Sequence, residues 1–267
     1  MAEYRESTPP SIPAGRQRWV IVALLFVAMV MNYVDRQTLG ILKPAMSAEF
    51  KWTNSDFANI HLCFQAAYAA CYLGWGRVVD RFGARCGFAL AFAVWSAAQL
   101  VTSAAREIGH FMFARMLLGV GESGAFPGSI KAIAEWFPQK ERALANGLFN
   151  AGTNIGAIVT PLLIPALVVA YGWQVAFVAS GLAGLVWLPI WLLLYRNPRD
   201  DARVSAAELR WIDQDSVLVG AERIGWRRLL RLRETWTYAL AKFMTDPIFG
   251  MYLSGCRIFS RSDSRSI

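Results

Sequence analysis

The chain has 267 residues, of which 55% are hydrophobic, 13% aromatic and only 17% charged. That balance excludes an ordinary soluble domain. The net charge of +8 does not point to nucleic acid, because Lys and Arg fall between apolar blocks rather than on one basic face.

Residues 1–18 form a polar tail with Pro9, Pro10 and Pro13 and no cleavable-signal pattern. A membrane-spanning helix needs ~20 mainly apolar residues. Six such runs fill residues 19–195, at about 19–41, 57–76, 86–104, 110–133, 144–170 and 173–195. A basic loop follows over 196–234, then a partial seventh helix over 235–253 and a polar tail over 254–267. Arg5, Arg16 and Arg18 precede the first span, Arg77, Arg81 and Arg85 separate the second and third, and Lys140 and Arg142 separate the fourth and fifth. Nine Arg lie between Arg196 and Arg233, whereas the opposite side holds only Lys43, Lys51 and Arg106. The positive-inside rule therefore places the N-terminus and the basic loop in the cytoplasm of a multi-pass cell-membrane protein, in the inner membrane if the cell is Gram-negative. Strand alternation is absent, which excludes a β-barrel. Ser205 and Glu208 have capping-box spacing and predict a short helix in the loop. The mixed basic and apolar run Trp226–Arg233 suits the inner membrane surface.

Charged residues inside the spans carry the functional signal. Asn32-Tyr33-Val34-Asp35-Arg36 lies in the first apolar run, and Arg115 and Glu122 lie seven residues apart in the fourth. Seven residues are two helical turns, so Arg115 and Glu122 share a face. An ionised group at membrane depth costs about 3 kcal/mol even on lenient insertion scales, so such residues read as a polar path or ligand site. The plainer alternatives are a helix-end pair reaching water for Asp35 and Arg36, and a structural buried pair for Arg115 and Glu122. Asn146, Asn150 and Asn154 recur every four residues and share a face that lines a cavity or meets another helix. Gly152 and Gly156 have close-packing spacing.

The four Cys (Cys63, Cys71, Cys86 and Cys256) form no metal-ligand cluster, so no metal or other cofactor is expected. Gly121-Glu122-Ser123-Gly124 resembles the nucleophile motif of rhomboid intramembrane proteases. That chemistry needs a His beside the Ser. The chain has only His61 and His110, both near span ends, so no enzyme is expected. A channel or structural six-helix protein would carry repeated polar rings, and these few charges do not form them.

Gly76-Arg77-Val78-Val79-Asp80-Arg81-Phe82-Gly83-Ala84-Arg85, between the second and third spans, resembles the signature loop of the major facilitator superfamily. Glu135-Trp136-Phe137-Pro138, Phe149-Asn150-Ala151-Gly152 and Gly156-Ala157-Ile158 resemble the anion:cation symporter branch, and within it hexuronate transporters. The resemblance covers about residues 16–250. It implies an all-α membrane protein: the six-helix N-terminal half of a major facilitator superfamily fold plus the start of a seventh helix. It further implies proton symport of a small organic anion such as a hexuronate. Asp35 and Glu122 would then be the protonatable carboxylates, with Arg115 paired to Glu122, and Tyr68, Asn150 and Asn154 would be substrate contacts. Gly76, Asp80, Arg81, Gly83 and Arg85 would form the conformational-switch loop. A guanidinium can hold both oxygens of a carboxylate, which makes Arg36 the first candidate for the substrate's acid group.

After Asp246-Pro247 the apolar pattern gives way to the Ser- and Arg-rich Met251–Ile267. Such a tail is expected to be disordered. One half of a two-half carrier is expected to be a truncated, inactive fragment.

Overall fold

The computed structural model describes residues 15–214, 228, 230–237, 239–241 and 243–245. The chain divides into two compact units, residues 1–216 and 217–267. The first unit is helical: α1 (Gln17–Phe50), α2 (Asn54–Ser103), α3 (Ile108–Glu122), α4 (Ala125–Trp136), α5 (Gln139–Tyr171), α6 (Trp173–Leu194) and the short α7 (Ala206–Asp213). Among the described residues there is no strand. In the second unit, residues 233–237, 239–241 and 243–245 are helical, within the expected start of a seventh helix. The expectations for residues 1–14, the Trp226–Arg233 surface run apart from its described positions, and the 254–267 tail lie outside the described residues.

Among the described residues, four helices, α1, α2, α5 and α6, are long and apolar enough to cross a membrane. At 50 residues, α2 would be about 75 Å long if straight, more than twice a bilayer core. It is not straight. Gly83 has φ 75° and ψ 166°, a region essentially restricted to Gly. Residues eight apart in a straight helix are about 12 Å apart. Here Val79 Cα lies 3.0 Å from where a Cβ on Gly87 would stand, so the chain has reversed. The loop expected between the second and third spans is thus reduced to one residue, and helix occupies both sides of it. The N-terminus of α2 is closed by Thr53 and Asp56, which form a reciprocal capping box.

The fourth span is α3 and α4, with an interruption at Ser123 and Gly124 that keeps near-helical dihedrals. Pro127 explains it: the ring cannot donate to the Ser123 carbonyl and crowds it. Arg142 then closes the end of α4, with Nε donating to the Phe137 carbonyl (2.9 Å) and Nη2 to the Ala134 carbonyl (3.0 Å). The first span is longer than expected, since α1 continues to Phe50.

Packing is closest where small residues let backbones meet. A Cβ on Gly119 would strike the Phe64 carbonyl, and one on Gly121 would lie 2.5 Å from the Trp95 nitrogen. The helix α3 is therefore wedged against both limbs of α2. Gly152 and Gly156 bring α5 to 2.5 and 2.6 Å, on the same measure, from the Phe26 and Val30 carbonyls of α1. An aromatic core, including Phe88, Phe92, Trp95, Trp187, Trp191 and Tyr195, fills the space between α2 and α6. Outward faces carry exposed Ile158, Leu162 and Val169 on α5 and Leu182, Val186 and Leu193 on α6. A surface of that kind suits lipid rather than water.

The start of the basic loop folds back onto the bundle. Ser205 accepts from the Glu208 amide (3.1 Å) and caps α7. The Glu208 carboxylate is buried against Gly15 and the start of α1, and burial raises its pKa against the opposing pull of Arg18. Arg18 is itself buried and pairs with Glu141 of α5 at 3.5 Å, while Trp211 Nε1 donates to the same Glu141. Arg18 is thus part of the packed loop interface and not a free surface charge. Arg203 holds the Asp201 carboxylate below its ordinary pKa through a 2.7 Å ion pair.

Candidate functional site

Asp35 and Arg36 sit mid-way along α1, with fifteen and fourteen residues of helix still to follow. Asp35 is only 2% exposed, so the helix-end alternative fails. Adjacent helical residues point about 100° apart, and the two side chains accordingly enter different environments.

Arg36 faces α3 and the first limb of α2. Its Nε donates to Glu122 Oε2 at 2.5 Å, an ion pair in which Glu122 is fully buried. The guanidinium lies 4.7 Å from the Tyr68 ring centre, 5.5 Å from Phe64 and 5.7 Å from Tyr33, within cation–π range of all three. Arg36 Nη2 and Glu122 Oε1 are buried and have no hydrogen-bond partner among the described residues. An unsatisfied buried donor costs about 1–3 kcal/mol, so this is a donor set with unused capacity for an anion.

Asp35 faces the second limb of α2 and α6. Trp95 Nε1 donates to Oδ2 and the Ser180 hydroxyl donates to Oδ1, both in short contacts. Arg115 Nη1 donates to the Asp35 main-chain carbonyl at 3.4 Å, and its guanidinium lies 5.6 Å from the Phe177 ring. Arg115 does not form the ion pair with Glu122 that the family resemblance implies; Arg36 does. Seven residues of rise separate the two by about 10.5 Å, and the Asp35-Arg36 dipeptide of α1 stands between them. Nothing in the sequence marks Trp95 or Ser180. Each sits in an apolar run without a charged neighbour that would mark it.

The remaining expected residues divide. Tyr68 joins the Arg36 cluster. Asn150 and Asn154 are exposed on α5, and no contact joins either side chain to the Arg36 or Asp35 clusters. Asn146 donates to its own helix at the Arg142 carbonyl (2.8 Å). In the turn between the limbs of α2, Asp80 accepts from Lys131 of α4 at 3.2 Å. Arg85 Nη2 donates to the Leu192 carbonyl of α6 at 2.5 Å, and Arg81 lies beside the Phe82 ring. Gly76 is partly buried within the first limb. Ser123, the residue that would serve a protease, donates to the Val120 carbonyl one turn back (2.8 Å). His110 accepts from the Arg106 amide.

A family profile, Major Facilitator Superfamily, matches residues 25–260. The chain is 30% identical to the hexuronate transporter of Escherichia coli K12 over 246 residues, 91% of this chain and 57% of the relative. It is 29% identical to the galacturonate transporter of Dickeya chrysanthemi, covering 91% of this chain and 71% of that one. A probable galactarate/D-glucarate transporter of Bacillus subtilis is 30% identical, covering 91% and 55%. The chain thus spans about half the length of several curated relatives that it matches. A crystal structure of a bacterial homolog of the human lysosomal transporter Spinster, inward-facing and occupied, superposes with a TM-score of 0.64 at 19% identity. It covers 70% of this chain and 46% of that one.

Proposed function

Since the chain belongs to the major facilitator superfamily, a family of transporters and not of enzymes, we propose that it supplies the N-terminal six-helix half of a proton-coupled symporter for a sugar acid. The curated relatives carry hexuronate, galacturonate and related acids by name. The observation that carries the reading is the buried Arg36–Glu122 pair with one guanidinium donor left over. A sugar carboxylate can take that donor, and the Tyr68 and Tyr33 rings frame it.

The pair also couples ligand to proton. Glu122 and the substrate's carboxylate compete for one guanidinium. A proton on Glu122 removes its charge and frees Arg36 for the anion; loss of the proton returns Arg36 to Glu122. Asp35, one residue away, is a second proton-accepting carboxylate. Its main-chain carbonyl is held by Arg115. Asn150 and Asn154 would meet the substrate from α5, and Gly76, Asp80, Arg81, Gly83 and Arg85 would form the hinge of the switch between inward- and outward-open states. The N-terminus and the basic loop would lie in the cytoplasm.

The test is Glu122→Gln in a carrier containing this half together with a second one. Gln keeps size and hydrogen bonding but cannot titrate. The expected result is retained exchange of labelled for unlabelled hexuronate and lost accumulation driven by a proton gradient. Accumulation at the parent level would make Glu122 a structural partner of Arg36 and nothing more.

A further inference from the structure

We propose that Trp95 and Ser180 are positioning residues that clamp both carboxylate oxygens of Asp35 and thereby set the pH at which it takes up a proton. The inference rests on Asp35 being one of the proton-accepting carboxylates.

The geometry is specific. The two donors approach different oxygens from different helices, Trp95 from α2 and Ser180 from α6. Both stabilise the anion, because an ionised carboxylate accepts at both oxygens whereas the acid must donate at one. The charged groups facing Asp35 from neighbouring elements, among the described residues, are Arg115 and Glu122 of α3. From α2 comes the neutral Gln99 beside Trp95, and α5 meets α1 through Gly152 and Gly156. The Arg115 contact is to the main-chain oxygen, and among the described residues Trp95 and Ser180 make the close side-chain contacts to the carboxylate, with the Gln99 amide beside them.

Trp95 is not free to move away. Its ring lies 4.1 Å from Phe92, which stacks on Trp187 at 4.2 Å and 19°. Trp187 stacks on Trp191 (5.4 Å, 16°) and Trp191 on Tyr195 (4.3 Å, 23°). The column is pinned at its far end: Trp191 Nε1 donates to the Arg85 carbonyl at 3.0 Å and the Tyr195 hydroxyl to Glu135 at 2.7 Å. Five contiguous rings, four of them stacked and Trp95 tilted against Phe92, thus connect the turn between the limbs of α2 to the indole that holds Asp35. Buried rings at this spacing lose little by staying put and much by separating. The Trp95 N–H is therefore presented at a fixed place whether or not Asp35 is charged, as a donor that selects for charge should be.

The readout needs no transport. Infrared difference titration of the purified chain follows the protonated carboxyl band, and the part lost in Asp35→Asn is assigned to Asp35. Trp95→Phe keeps the ring in the column and removes only the donor, and Ser180→Ala removes only the hydroxyl. Each variant is expected to move the Asp35 midpoint about one pH unit alkaline, the equivalent of one charged hydrogen bond, and Ser180→Thr to move it back. Circular dichroism checks that helix content is retained; if Trp95→Phe does not fold, Ser180→Ala decides. Midpoints unchanged in the folded variants, or no band assignable to Asp35, would overturn the proposal. The transport reading fails by a different result, parent-level accumulation in Glu122→Gln, so the two outcomes are separable.

Discussion

At the scale of single residues, neighbours in sequence were easier to read than partners in space. Asp35, Arg36, Arg115 and Glu122 are each conspicuous because a charge at membrane depth is costly, and all four prove to be buried or half-buried around α1 and α3. Which carboxylate each Arg serves was not legible, because that depends on how far α3 sinks between the limbs of α2. Gly119 and Gly121 set that depth. The arrangement makes Arg36→Lys informative. Arg36 holds Glu122 through Nε and keeps Nη2 in reserve. A Lys ammonium is a point charge without the planar fork, so it cannot hold both oxygens of the substrate's carboxylate in this geometry. Loss of one charged hydrogen bond, about 1.5–3 kcal/mol, predicts a rise in the KM for hexuronate uptake of about tenfold or more. A parent-level KM in Arg36→Lys would remove Arg36 from the substrate site.

At the scale of elements, hydropathy and the alternation of Arg-bearing loops marked six spans in their right order, because lipid imposes length and charge placement on each helix separately. Two features escaped that reading. The break between α3 and α4 is local to Pro127 and leaves the apolar pattern continuous. The reversal in α2 falls in the Arg-bearing Gly76–Arg85 run, but composition does not say that a single residue makes it. Gly83 belongs to the expected switch loop, where a tight turn needs its backbone freedom. Its role can now be tested sharply. No atom lies within 4 Å of a Cβ placed on Gly83, so Gly83→Ala meets no steric obstacle. The cost comes from φ alone, about 1–3 kcal/mol for a residue forced into this region. The expected outcome is a fall of several degrees in the melting temperature of the purified protein, followed by circular dichroism. A melting temperature equal to the parent's would mean that the reversal is not built on the Gly83 conformation. The α7 cap shows the opposite case. Ser205 was legible as a cap, yet the spacing that marked Glu208 as its reciprocal partner concealed that residue's place against the start of α1.

At the scale of the whole molecule, orientation and completeness govern what the site can do. The Arg bias predicts that Asn197, at the end of α6, faces the cytoplasm and that Ser55, at the start of α2, faces outward. In a background whose native Cys are changed to Ser, an impermeant thiol reagent added to intact cells should label Ser55→Cys and not Asn197→Cys; the reverse pattern would invert the topology. The final prediction concerns activity. Alternating access requires one helical bundle to rock against another around a shared site. The described first unit is a single bundle built from α1 to α7, and the whole chain covers 57% of the hexuronate transporter's length. Asn150 and Asn154 of α5 are exposed on it, on a face where unpaired amides in lipid would be costly. If Glu122 and Arg36 exchange a proton for an anion as proposed, a single bundle opens that exchange to one side only. The 267-residue chain alone, reconstituted in liposomes with a proton gradient, is therefore expected to bind a hexuronate without accumulating it. Adding the C-terminal half of a hexuronate carrier is expected to restore uptake. Saturable, gradient-dependent accumulation by the chain alone would show that six helices, paired with a second copy of themselves, suffice for the cycle.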